Sequence, residues 1–145
     1  MIDHKLMDAF IDKYFFGGYE YLSNTINPTY PDGMDIEIFK SELINQKKIL
    51  DISNLDKEHV TPFFHDKKKY KIYNFKSKKN YSHLRLTVDT KEDFYLIESL
   101  LEKFNYNYMI SLKKILNFSD QNKNFFKKFK LEKRNEGMKL NLGQK

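Results

Sequence analysis

The chain has 145 residues, with 26 Lys+Arg against 20 Asp+Glu and no cysteine, which excludes disulfide scaffolds, thiolate metal sites and cysteine nucleophiles. One domain of this length buries roughly 68–70% of its unfolded surface, enough for a core without cross-link or metal. The basic excess is local: residues 1–100 carry 15 Lys+Arg and 16 Asp+Glu, a net of −1, whereas residues 101–145 carry 11 and 4, a net of +7.

The first predicted element is a helix with Asp3 as N-cap and Leu6, Met7, Phe10, Ile11 and Tyr14 at helical spacing, stopped by Gly17-Gly18. Tyr19 to Leu22 alternates as a short strand, and a turn-rich stretch from Asn24 to Gly33 follows. Met34, Ile36 and Ile38 then alternate with Asp35 and Glu37, which predicts a strand with an apolar face and a carboxylate face. A helix is expected from Ser41 towards Leu50. Pro62 places a further helix start near Glu58 to Phe64, since proline is tolerated only in a first turn.

Lys71 to Phe75 is a candidate strand, and His83 to Val88 a clearer one, with Leu84, Leu86 and Val88 on one face and His83, Arg85 and Thr87 on the other. Thr90 and Asp93 have capping-box spacing. Phe94, Ile97, Leu101 and Phe104 form the expected stripe of the helix they open. Shorter helical pieces follow at Met109 to Phe118 and Asp120 to Phe129, with Phe125, Phe126 and Phe129 as a docking face. Lys133 to Lys145 reads as a polar end, its last residues expected to be disordered. Alternating helices and strands argue for an α/β layer architecture.

No stretch approaches 18 consecutive apolar residues, and Asp3, Asp8, Asp12 and Glu20 fall where a signal peptide would be apolar. The expectation is a soluble, cytoplasmic protein that does not engage a membrane. Four scattered histidines give no metal-ligand spacing, and 5 dispersed glycines give no phosphate-cradling loop. Three local features carry chemistry, each beside a plainer alternative. Asp89 ends a predicted strand at a helix start, where an acid suits a hard cation such as Mg²⁺, or else Asp89 or Thr90 is only the helix N-cap. Asp35 and Glu37 are a polar site or the wet side of an edge strand. Glu58 and His59 bind a polar group, or His59 is an interior histidine. Lysine runs interleaved with Tyr70, Tyr73 and Tyr81 have the composition of a single-strand nucleic-acid surface. Solvated loops explain them more simply, and the near-neutral body argues against nucleic acid.

Four ordered blocks go further: Tyr19-Glu20-Tyr21-Leu22-Ser23-Asn24-Thr25, Tyr30-Pro31-Asp32-Gly33-Met34-Asp35-Ile36-Glu37-Ile38-Phe39, Glu58-His59-Val60-Thr61-Pro62-Phe63, and Leu84-Arg85-Leu86-Thr87-Val88-Asp89-Thr90-Lys91-Glu92-Asp93-Phe94. Together they resemble the C-terminal half of the acidic-sugar cytidylyltransferases. The nearest type is that of spore-coat polysaccharide, related to the enzymes that activate sialic acid and 3-deoxy-manno-octulosonate. The resemblance implies a partial nucleotide-diphospho-sugar transferase fold, GT-A-like, with a mixed sheet and flanking helices over residues 1–106 and a basic helical tail over 107–145.

It also implies transfer of CMP from CTP to an acidic sugar with Mg²⁺, and a homodimer. In the family the Asp of the Val-Asp-Thr block is a metal ligand, which maps onto Asp89. The block from Tyr30 lies near the sugar pocket and the dimer-forming extension, so Tyr30, Asp32, Asp35 and Glu37 become substrate-side candidates, with Glu58, His59 and Arg85. Sialic-acid relatives place a second acid two residues before the metal-binding Asp, where this chain has Thr87.

The departure is a missing half: the basic, glycine-containing loop that binds CTP phosphates and the Asp-x-Pro motif that supplies the other metal ligand have no counterpart here. The expectation is a truncated cytidylyltransferase, inactive alone, in which no complete catalytic set is present. The alternative is a non-catalytic module that pairs with itself or with a full-length relative.

Overall fold

A computed structural model describes residues 3–46, 61–130 and 134. The chain divides into two compact units, one of His4–Thr29 and Asp35–Lys78, the other of Met1–Asp3, Tyr30–Met34 and Lys79–Lys145. Helices combined with a mixed sheet bear out the α/β expectation.

The first unit is built on a three-stranded sheet of order β2-β1-β3, with β1 (Tyr21–Ser23) central, β2 (Glu37–Phe39) antiparallel to it and β3 (Ile72–Asn74) parallel. All three residues of β1 are buried, and period-2 alternation sends them to opposite faces. Leu22 packs with Phe10 and Tyr14 of helix α1 (His4–Gly17), joined by Ile36, Ile38, Tyr73 and Phe75. Tyr21 packs on the other face with Leu43 of α2 (Ser41–Gln46) and with Phe64. Ile36 and Ile38 therefore point where the sequence alternation put them.

The α1 stripe is narrower than predicted. Phe10 and Tyr14 are buried, whereas Met7 and Ile11 stay exposed. Pro62 opens a 3-10 turn, Pro62–His65, in the first-turn position expected of it. The predicted helical continuation to Leu50, together with Glu58 and His59, lies outside the described residues.

In the second unit the expected strand at His83 to Val88 does not form. A single parallel bridge joins Arg85 to Asp32, with Asp32 N–H donating to Leu84 O at 2.9 Å and Leu86 N–H to Asp32 O at 2.8 Å. The predicted faces fail with it. Arg85 is buried beside Leu84 and Leu86, and Val88 is 58% exposed, because a buried ion-pair network holds the arginine inward.

Helix α3 (Lys91–Lys103) starts with the predicted capping box: Thr90 Oγ1 accepts from Asp93 N–H at 3.2 Å, and the Asp93 carboxylate accepts from Thr90 N–H at 3.1 Å. Its buried stripe is Asp93, Leu96 and Leu100, and Phe94 is 51% exposed. The predicted stripe was rotated from this one, since it counted apolar residues and omitted the carboxylate that fixes the inward face. Helix α4 (Leu112–Gln121) buries Leu112, Ile115, Leu116 and Ser119. Asp3 immediately precedes α1 as predicted, yet its carboxylate accepts from Leu112 N–H at 2.6 Å, an anion at the positive end of α4. The short helix α5 (Lys123–Phe126) follows. Its Phe125 and Phe126 rings lie 5.1 and 6.3 Å from Phe118, Phe129 adds to Phe125 at 5.9 Å, and Phe118 meets Phe104 at 5.5 Å. The predicted aromatic face is present, with Lys123, Lys127 and Lys128 exposed, but it packs on Phe118 within the tail, and Phe118 makes the contact to Phe104 of the body. Among the described residues no helix is long and apolar enough to cross a membrane.

Candidate functional site

Arg85 organises the site. Its Nη1 donates to Asp32 Oδ2 at 2.9 Å, its Nε and Nη2 to the two oxygens of Asp93 at 2.8 and 3.0 Å, and Nη2 also to Asp89 Oδ2 at 2.7 Å. The planar guanidinium suits this arrangement, having five donors in a fixed fork. Local structure delivers each partner. Asp32 comes through the backbone bridge, Asp93 through the first turn of α3, and Asp89 from the residue before the cap.

The three carboxylates differ in exposure, which separates their roles. The Asp93 side chain is 0% exposed, Asp32 13% and Asp89 66%. Asp93 Oδ2 also accepts from the backbone N–H groups of Asp89 and Thr90 at 3.0 and 3.1 Å and from Thr87 Oγ1 at 3.3 Å. Its pKa falls to about 2, chiefly through the Arg85 hydrogen bonds and against the opposing effect of burial. Arg134 Nε lies 3.7 Å from Asp32 Oδ1. Three carboxylates against two guanidiniums leave one negative charge, and exposure puts it on Asp89.

The cap therefore belongs to Thr90 and Asp93, and Asp89 is left for other work. The family resemblance implies Mg²⁺ there. Among the described residues no three carboxylate or imidazole groups converge as a cation cage. Mg²⁺ asks for less, taking one or two carboxylates together with water and substrate phosphate. An exposed carboxylate whose Oδ1 lies outside the Arg85 bond suits as one such ligand.

Of the substrate-side candidates, Asp32 and Arg85 meet in this cluster. Tyr30 is buried in the same unit, and burial raises its phenol pKa. Asp35 and Glu37 belong to the other unit, where Asp35 is exposed. There Glu37 Oε1 accepts from Thr25 Oγ1 at 3.2 Å, and Thr25 Oγ1 lies 2.7 Å from Ser23 Oγ. Tyr21 OH is 3.3 Å from His65 Nε2. Burial lowers the His65 pKa, and the Glu37 charge opposes this. Sequence reasoning assigned no role to His65 or Thr25. It also missed Asp93 as a partner of Arg85, although the eight-residue spacing across a strand-to-helix corner was available to read.

No family model matches the chain, and no curated protein matches it significantly. A solved structure does match, over 90% of this chain, with a TM-score of 0.79 and 26% identity. The likeness is to a cytidylyltransferase. The matched structure is of a cytidylyltransferase from Leptospira borgpetersenii serovar Hardjo-bovis (strain JB197), of which this chain covers 56%. The chain thus spans about half the length of that protein, and the likeness supports the cytidylyltransferase family.

Proposed function

We propose that this chain is the sugar-side half of a CTP-dependent cytidylyltransferase, which makes a CMP-activated acidic sugar for surface polysaccharide or glycan synthesis in the cytoplasm. It corresponds to the C-terminal part of a GT-A-like nucleotide-diphospho-sugar transferase domain over residues 1–106, followed by the basic tail at 107–145. The observation that carries this reading is the cytidylyltransferase likeness at a TM-score of 0.79 over 90% of the chain.

In the proposed reaction Asp89 supplies one Mg²⁺ ligand. When bound, the cation neutralises phosphate charge. Arg85 holds the Asp89 carboxylate in place, and Asp93 and Asp32 hold Arg85. Orientation of this kind matters because phosphoryl and nucleotidyl transfers depend mostly on positioning and charge stabilisation. Tyr30, Asp35, Glu37, Glu58 and His59 stand on the acceptor side by resemblance. The chain carries no phosphate-cradling loop, so its activity requires the remaining half. The decisive assay is CTP-dependent pyrophosphate release with a panel of nonulosonic and octulosonic acids, by the chain alone and mixed with the part of the Leptospira protein that it does not match. Release from the mixture, absent from either part alone and lost in Asp89→Asn, is expected. Robust release by the chain alone overturns the half-enzyme reading.

A second reading has its own observation. β2 pairs with β1 on one side only among the described residues, and an open edge strand is a template for a second chain. A homodimer through Asn24–Phe39 follows, either as the dimer-forming part of the enzyme or as a non-catalytic pairing module. Light scattering that shows a strict monomer at high micromolar concentration removes it.

A further inference from the structure

A cavity of about 460 Å³ lies between the segment Lys79–Arg85 and the corner from α4 to α5, within the size range of small-molecule sites. Its charged groups are not equivalent. Lys79 is paired with Asp120, whose Oδ2 also accepts from Tyr81 OH at 2.9 Å. Arg85 is committed to its three aspartates. Lys123 and Lys127, four residues apart and both lining the cavity, make no ion pair among the described residues. A second hollow of about 680 Å³ is lined by the same two lysines together with Lys103 and Lys128. Two lysines outside any ion pair among the described residues thus line one partly open cavity. Leu84 and Phe126 add an apolar wall to it.

We propose that this cavity binds a small phosphomonoester, with Lys123 and Lys127 holding the phosphoryl oxygens and Phe126 with Leu84 packing an apolar or planar substituent. A phosphate dianion matches the chemistry. Lysine serves as a point charge for phosphate. Lys79 pairs with Asp120, and although Asp120 also interacts electrostatically with Lys123, Lys123 and Lys127 leave the cavity wall with a positive excess. Ring contact selects ligands that carry more than the phosphate itself. The inference is independent of the cytidylyltransferase reading, because binding here needs no CTP.

The test is isothermal titration of the full chain with inorganic phosphate, phenyl phosphate and phenol at fixed ionic strength. Phenyl phosphate is expected to bind saturably and about 3- to 10-fold tighter than inorganic phosphate, an advantage of the size aromatic contacts give. Lys123→Gln/Lys127→Gln should weaken both phosphates at least ~10-fold, as loss of two charge-assisted contacts implies. Lys113→Gln/Lys114→Gln, on α4 but outside the cavity, should leave both unchanged. Phe126→Leu should erase the preference for phenyl phosphate while keeping phosphate binding. The proposal is overturned by absence of saturable binding, by equal losses in the two lysine pairs, or by phenol binding as tightly as phenyl phosphate. Circular dichroism of the exposed-lysine variants separates lost binding from lost fold.

Discussion

Arg85 and Asp93 form a bidentate pair eight residues apart, Nε and Nη2 of the one donating to both oxygens of the other at 2.8 and 3.0 Å with both side chains buried. This pair joins the extended segment to the first turn of α3, and it also completes the capping box through Asp93. One carboxylate thereby neutralises a guanidinium, satisfies two backbone N–H groups and sets which face of α3 turns inward.

A pH dependence follows. The Asp93 carboxyl has an ordinary pKa of 3.8 and a folded value of about 2. A depressed folded pKa stabilises the protein at pH values above the unfolded one, and that stability drains away as pH falls from about 4 through 2. The contribution is on the order of 2 kcal/mol. Carboxyl ¹³C shifts followed by NMR should show Asp93 still ionised at pH 3; a midpoint near 4 would contradict the pairing.

Asp93 and Asp89 should behave oppositely on substitution. Asp93→Asn breaks the buried bidentate pair with Arg85, a change that costs about 3–5 kcal/mol when one partner of a buried pair is removed. Asp89→Asn removes an exposed partner and should change stability by no more than about 1 kcal/mol. Urea unfolding of the two variants checks this, and equal losses would place Asp89 in the fold and not in the chemistry.

Gly33 is the hinge of the Asp32 bridge. Its φ is +89°, and a Cβ there would stand 2.7 Å from Leu86 O and 2.9 Å from Thr87 N. Those are backbone atoms that cannot swing aside. Gly33→Ala should therefore cost at least the 1–3 kcal/mol typical of forced backbone strain, more than a neutral surface change. A thermal midpoint within one degree of the parent would show that the bridge is looser than its geometry implies.

What the sequence made legible was local. The Thr90–Asp93 box rests on a three-residue spacing, Pro62 on a single-residue constraint, and the inward turn of Ile36 and Ile38 on plain alternation; each needs only neighbours. The expected strand at His83 to Val88 failed for a non-local reason. Alternation assigned Arg85 to the polar face, but Asp32, 53 residues earlier, supplies both a backbone bridge and a carboxylate that make its burial favourable. The same network rotated α3 by giving its inward face a carboxylate, which an apolar count cannot register. Of the candidate site, Asp32, Arg85 and Asp89 were each singled out in the sequence as separate residues. Their convergence depends on a long-range contact that no spacing encodes.

Tyr21 gives the complementary test at alkaline pH. Its ring is buried between Phe64 at 5.1 Å and Phe39 at 6.4 Å, with its OH 3.3 Å from His65 Nε2. Burial is the main cause that lifts its pKa from 10.0 to about 12. A raised folded pKa contributes stability that is complete below the unfolded value and lost as pH rises through the folded one, here between about 10 and 12. The term is on the order of 2–3 kcal/mol. Tyr21→Phe removes that slope at the cost of one hydrogen bond, about 1 kcal/mol at neutral pH. Absorbance titration near 295 nm should then show a late step among the ten tyrosines of the parent, and the amplitude of that step should fall by one tyrosine in Tyr21→Phe. If the parent and the variant titrate alike, Tyr21 is solvated and the packing on that face of β1 is not as described.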